Sequence, residues 1–180
     1  SLASDDRIKT QFTLLIKLFG EGKASDFIRN LKGGEPLQFT GPFGKLLFKQ
    51  PAAPQVILMC TGAGLSQHMS FLLSHAERFP QSQFKLLVGV WNEGEIFYQN
   101  ELEALKSKVK NFSYDFVLDK PADSWKGKRG FVTDYIKELG IDKTETHFYL
   151  CGNPAMIKGA KEVLAGSNFP ADRIFAESFG

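Results

Sequence analysis

The chain has 180 residues, 43% hydrophobic and 23% charged, the balance of a globular protein long enough to bury a core. Its formal net charge of +2 gives no argument for nucleic acid or an acidic surface, and no apolar run reaches the roughly 20 residues of a membrane-spanning helix. Two cysteines, Cys60 and Cys151, supply neither a disulfide framework nor the thiolates of an iron–sulfur cluster, so a reducing, cytoplasmic setting is expected.

Residues 11–18 alternate apolar and polar, the period of an antiparallel strand. Residues 25–31 read as a short helix with Ser25 as its N-cap. A second strand follows over 36–40, then a Gly41-Pro42-Phe43-Gly44 turn. Two strands and one short helix cannot bury a core alone. Residues 1–50 therefore read as the tail of a second domain whose remainder would precede Ser1. Pro51-Ala52-Ala53-Pro54 reads as a stiff linker into a domain over 51–180.

From residue 55 the pattern is strand then helix, repeated. Apolar strands are expected over 56–60, 84–90, 112–118 and 147–151, with a short last one over 173–177. Helices are expected over 66–79, 100–109, 131–139 and 155–165, the third showing Phe131, Tyr135, Ile136 and Leu139 on one face and ending at Gly140. Continuous apolar runs imply strands covered on both faces. The fold class is α/β: a doubly wound, five-stranded, mostly parallel sheet. His68, His75 and His147 lack metal-ligand spacing and read as structural or exposed.

Two strands end in the same manner. Residues 56–60 run into Thr61-Gly62-Ala63-Gly64, and residues 147–151 run into Gly152-Asn153-Pro154 before a helix. Open α/β sheets bind ligands in the crevice at the carboxyl ends of their strands. Glycines there admit a pyrophosphate to the positive end of a helix. Thr61–Gly64 lacks a third glycine, so taken alone it also fits a structural turn. Cys60 reads as core, and Cys151 taken alone also fits a small buried hydrophobe.

Six motifs lie in order along nearly the whole chain: Ser1-Leu2-Ala3-Ser4, Gly22-Lys23-Ala24-Ser25, Gly41-Pro42-Phe43-Gly44, Thr61-Gly62-Ala63-Gly64, Cys151-Gly152-Asn153-Pro154-Ala155-Met156 and Glu177-Ser178-Phe179. Together they resemble the ferredoxin–NADP⁺ reductase superfamily, in which a flavin-binding β-barrel precedes a pyridine-nucleotide domain. The resemblance implies a flavoenzyme passing a hydride from NAD(P)H to FAD. Electrons would then pass to a ferredoxin, a flavodoxin or an oxygenase.

The same resemblance assigns roles to residues. Ser1, Leu2, Ala3, Lys23, Ala24, Ser25 and Phe179 would contact FAD, with Ser1 near the flavin N5 and Ser25 at its pyrophosphate. Thr61, Gly62, Ala63, Gly64, Leu65, Trp91, Asp119, Cys151, Gly152, Asn153, Pro154 and Met156 would hold NAD(P)H. Ser1, Cys151 and Glu177 would form the catalytic group. Cys151 would place the nicotinamide ring by packing, and Glu177 would orient a serine or the carboxamide. Where the family often has proline, Ser66 stands and is expected to cap the helix. Asp119 would repel a 2′-phosphate, and residues 125–133 resemble the Trp-x-Gly-x-x-Gly segment of NADH-dependent oxygenase reductases, so NADH is favoured over NADPH. Arg129 and the neighbouring lysines keep NADPH open. A reading of another class also stays open: a non-catalytic nucleotide-binding or interaction module that kept the fold without flavin.

Overall fold

The computed structural model describes residues 1–18, 20–41 and 43–178. Strand β1 (Gln55–Thr61) holds Val56, Ile57, Leu58, Met59 and Cys60, all buried. Such a run has no solvent face, and the sheet shows why. The strand order is β4-β3-β2-β1-β5-β6, with β1 central and every pairing parallel. The other strands are β2 (Gln83–Val90), β3 (Phe112–Leu118), β4 (Lys128–Arg129), β5 (Thr146–Gly152) and β6 (Ile174–Ser178). The five expected strands are present. The sixth, β4, has two polar residues and pairs only with Val117 and Leu118, too short to show a period.

Two core layers lie on opposite faces. Val56, Leu58, Cys60, Tyr149 and Cys151 pack with α2 (Leu65–His75) and α3 (Gln99–Lys108). Ile57, Met59, Phe148 and Leu150 pack with α4 (Pro154–Gly166) and with a 3₁₀ segment, Val132–Glu138. The expected helix over 131–139 is thus a 3₁₀ turn that buries Val132 and Ile136 and leaves Phe131 61% exposed. Helix α2 stops at His75, four residues short of the expected end, and Ala76–Phe79 close it through N–H bonds back to Leu72 and His75. Among the described residues no helix is long and apolar enough to cross a membrane, and no cluster of three metal-ligating side chains occurs.

Residues 1–50 depart furthest from expectation. The alternation over 11–18 makes only an isolated antiparallel bridge, Leu2 to Leu14, and 36–40 forms no strand. A ladder needs a partner along its length, and among the described residues these segments have none. Helix α1 (Lys23–Asn30) begins two residues earlier than expected, with Gly22 at its cap and no side-chain capping bond. Ser25 therefore sits in the first turn and is not the N-cap. Pro42 and Phe179 lie outside the described residues. The expected linker is docked: Ala53 is 6% exposed and the Pro54 carbonyl accepts from Gln83 N at 2.7 Å.

A latch joins the first fifty residues to the sheet. Phe48 stacks on His75 (4.2 Å between centroids) and on Tyr149 (5.4 Å), with the edge of Phe71 against it at 5.4 Å. Beside it, Lys49 N donates to the Tyr149 hydroxyl at 2.9 Å. Asp6 N donates to Ser74 Oγ at 2.9 Å, tying the start of the chain to α2.

Under this latch His68 is fully buried in α2, donating through Nε2 to the Met59 carbonyl at 3.0 Å, with no partner at Nδ1. Burial lowers its pKa from 6.5 to about 4. The unfolded chain binds this proton first as pH falls, so stability is full above the ordinary value and drains away between it and the lowered one. At about 1.4 kcal/mol for each unit of pH between 6.5 and about 4, the loss is on the order of 3 kcal/mol by about pH 4. Urea unfolding across that range checks it: His68→Gln, which keeps a donor and does not titrate, flattens the acid limb.

Candidate functional site

The ends of β1 and β5 lie side by side where the sheet's winding reverses. Open sheets form their ligand crevice at such a point. After Thr61 the chain makes a 3₁₀ turn, Gly62–Gly64, and enters α2; after Gly152 it enters α4. Asn153 caps α4 by accepting from Ala155 N at 2.8 Å, with Pro154 in the first turn. Two helix N-termini thus open at the ends of adjacent strands.

The two loops interlock through their backbones. A Cβ on Gly64 would lie 2.2 Å from the Cys151 carbonyl oxygen and 2.6 Å from its carbon. Gly152, at φ +129°, answers from the other side: a Cβ there would lie 2.6 Å from the Thr61 carbonyl oxygen and from Thr61 Oγ1. Asn153 N donates to that same Oγ1 at 2.9 Å. Gly62 differs: its φ is +52°, and a Cβ there would meet nothing within 4 Å, so it faces open space. Of the three, Gly62 forms the wall of the crevice while Gly64 and Gly152 hold its two halves together. Leu65 is buried beneath, and Ala63 and Met156 are half-buried at the rim. Ser66 does not cap α2; its hydroxyl donates back to the Ala63 carbonyl at 2.8 Å.

Cys151 is buried, in register with Cys60 on one side and Glu177 on the other. Burial, then the Glu177 carboxylate, pushes its thiol up to about 12, with the nearby nitrogen of Ser1 acting the other way. The structure thus brings Cys151 and Glu177 together on adjacent strands, while Ser1 is exposed at the start of the described chain. The thiol is protonated at neutral pH. Glu177 Oε2 accepts from Leu46 N at 3.0 Å and Lys45 N at 3.3 Å, a partnership between distant parts of the chain that sequence motifs do not signal. Leu2 bridges Leu14, Ala3 is buried and donates to the Thr13 carbonyl, and Lys23, Ala24 and Ser25 open α1.

The ends of β2 and β3 extend the crevice. Trp91, 48% exposed, has Lys120 Nζ 4.3 Å over its ring, while Lys120 N donates to the Trp91 carbonyl and Asp119 N to that of Val90. Arg129 is spent on its own loop: Nη2 donates to the carbonyls of Ala122, Asp123 and Trp125 at 2.9, 3.2 and 3.0 Å. Lys128 lies 3.9 Å over the Tyr135 ring and 3.5 Å from Glu138. The Trp-x-Gly spacing also has a local cause, since a Cβ on Gly127 would lie 2.5 Å from the Trp125 ring.

Because its neighbour is backbone, Gly64→Ala cannot be relieved by a rotamer change. The overpacking costs about 3 kcal/mol and pries the two loops apart. Gly166→Ala, at an open helical position, is the control and is neutral or stabilising by about 0.5 kcal/mol. Thermal unfolding of the two variants is the measurement.

Residues 58–162 match the oxidoreductase NAD-binding domain family. NADH-cytochrome b5 reductase 2 of Yarrowia lipolytica is 34% identical over 167 residues, 88% of this chain and 57% of that protein. The anthranilate 1,2-dioxygenase electron transfer component of Acinetobacter baylyi is 28% identical over 180 residues, 99% of this chain and 52% of that protein. The chain therefore spans about half the length of the curated relatives it matches. In fold it superposes on a ferredoxin NADP⁺ reductase from Neisseria gonorrhoeae with a TM-score of 0.76 at 22% identity, covering 89% of this chain and 71% of that one. With two glycine-bearing strand ends at the β1–β5 switch point, the chain belongs to the oxidoreductase NAD-binding domain family.

Proposed function

We propose that the chain is the nucleotide-binding part of an NAD(P)H-dependent flavoprotein reductase. The observation that carries this is the interlocked pair of strand ends, Thr61–Gly64 against Cys151–Asn153, at the sheet's switch point. When bound, the cofactors supply hydride transfer from a nicotinamide to FAD and release of electrons to a protein acceptor. The relatives, a cytochrome b5 reductase and a dioxygenase electron transfer component, favour a cytochrome b5-like protein or an oxygenase component as that acceptor.

The residues fit such ligands. Gly62 leaves open space before two helix N-termini, a setting for phosphate charge. Cys151 offers an uncharged, buried sulfur that positions a ring and keeps water out. Glu177, held by two backbone N–H groups, fixes the chain around Gly44 and Leu46 against the end of β6. Residues 1–50 form the flavin side of the reductase and 51–180 the nucleotide domain. Eleven of the thirteen exposed large hydrophobics among the described residues fall within 1–50, Leu2, Phe12, Leu14 and Phe39 included, which suits a segment built to pack against more of a barrel.

NADH is the preferred donor. Arg129 is committed to loop carbonyls and Lys120 lies over Trp91, so neither is poised for a 2′-phosphate. Asp119, at the end of β3, suits a ribose hydroxyl and opposes a phosphate. Asp119→Ser therefore narrows the ratio of kcat/KM for NADH over NADPH by about tenfold, about 1.4 kcal/mol, which steady-state kinetics with either donor reads directly.

The function itself is tested by adding FAD and NADH anaerobically and following flavin bleaching. In Cys151→Ala the hydride step slows by at least about tenfold while the NADH Kd barely moves. NADH binding with no flavin retained or reduced would replace this reading with the non-catalytic nucleotide-binding one.

A further inference from the structure

Cys60 and Cys151 are the chain's two cysteines, 91 residues apart in sequence, and the sheet sets them opposite each other. They occupy the same register position on the adjacent parallel strands β1 and β5, so both side chains project to the same face, into one core layer. Both are free thiols. Adjacent strands lie about 4.8 Å apart, within the Cα separation a disulfide takes, about 4.4–6.8 Å.

We propose that Cys60 and Cys151 are a site of reversible oxidation, closing to a cross-strand disulfide that alters the crevice. A relaxed disulfide holds its Cβ atoms about 3.8 Å apart, so closure draws the strand ends together by about 1 Å relative to the sheet spacing. The strain makes the bond readily reducible, the character of a regulatory disulfide. It also falls at a rigid point. The Cys151 carbonyl abuts Gly64, and Thr61 next to Cys60 holds Asn153 through its hydroxyl, so movement of either sulfur-bearing residue moves the loop walls.

The oxidant is a small peroxide. The Cys151 thiolate attacks a peroxide oxygen, leaving a sulfenic acid and a hydroxide that takes the thiol's proton as water. The Cys60 sulfur then attacks the sulfenic sulfur; the S–S bond forms and hydroxide leaves, taking the Cys60 proton as a second water. Two thiols and one peroxide give one disulfide and two waters, the sulfurs losing two electrons to the peroxide. Burial keeps both thiols protonated, so the reaction is slow at neutral pH and quickens as pH rises.

The test treats the chain with hydrogen peroxide, counts thiols after denaturation and maps the linked peptides by mass spectrometry. The expected result is loss of both thiols together, an intramolecular Cys60–Cys151 link, and recovery of both with dithiothreitol. Cys60→Ala under the same treatment gives no link. Stepwise oxidation of Cys151 alone, a disulfide between two copies, or two intact thiols after a treatment that oxidises an exposed-cysteine control overturns the proposal. The effect on the crevice rests on the nucleotide reading above and is read separately: the disulfide form binds NADH at least about tenfold more weakly, and reduction restores it. Unchanged affinity in the linked form overturns that effect, whereas a reduced chain that binds no NADH counts against the nucleotide reading and leaves the link to be judged by mass.

Discussion

The contact between the Gly64 backbone and the Cys151 carbonyl sets the geometry of the whole site. Two parallel strands can run side by side and still diverge beyond their last pairing, because each feeds a helix that packs elsewhere. Here α2 belongs to one core layer and α4 to the other, so the chains leaving β1 and β5 head to opposite faces. Divergence of that kind opens the crevice. The absence of side chains at Gly64 and Gly152, with the Thr61 hydroxyl accepting from Asn153, keeps the opening narrow and fixed at its base. A wider base would separate the helix N-termini and weaken their joint effect on a phosphate.

The second constraint is the way residues 45–49 are fastened over one face of the sheet, from Glu177 near its carboxyl end to Tyr149 and Phe84. Phe48 fills an aromatic box of His75, Phe71 and Tyr149, and polar bonds at Tyr149 and Glu177 take up backbone N–H groups on either side of it. Buried backbone donors are costly when unpaired, so the latch is specific as well as apolar. It also explains how the first part of the chain reaches Cys151 and Glu177. The strand β6 carries Glu177 next to Cys151, and Glu177 holds the segment that leads from the first part of the chain. The chain upstream of that segment has few buried residues of its own: within 1–50, among those described, only Ala3 and Leu46.

Much of the sheet was legible because parallel strands covered on both faces must be continuous apolar runs, and residues 56–60 and 147–151 are of that kind. Strand β4 was not, since Lys128 and Arg129 carry no apolar pattern at all. Residues 11–18 form no strand for a different reason. Alternation specifies which side chains share a face, but a strand exists only where a partner supplies the ladder. At the candidate site, glycines after apolar strands pointed to two loops that the fold sets side by side at the switch point. Their division of labour was invisible, because Gly64 and Gly62 look alike in sequence and only the approach of Cys151, 87 positions after Gly64, distinguishes them. Arg129 carries a similar lesson: as a letter it suits a phosphate, whereas in the fold its Nη2 donates to three carbonyls of its own loop.

The chemistry available at the crevice follows from what each polar group is already doing. The Cys151 thiol is held neutral by burial, the Glu177 carboxylate accepts from two backbone amides, and the Thr61 hydroxyl accepts from Asn153. None of the three is set up to attack a substrate or to carry a proton away from one. General acid–base or nucleophilic catalysis needs a group whose protonation changes near working pH and which is free to reach the reacting atom. A hydride moving between two rings needs neither; it needs the rings close, correctly faced and shielded from water. A crevice in which these three polar groups are committed to holding the walls in place is compatible with that task.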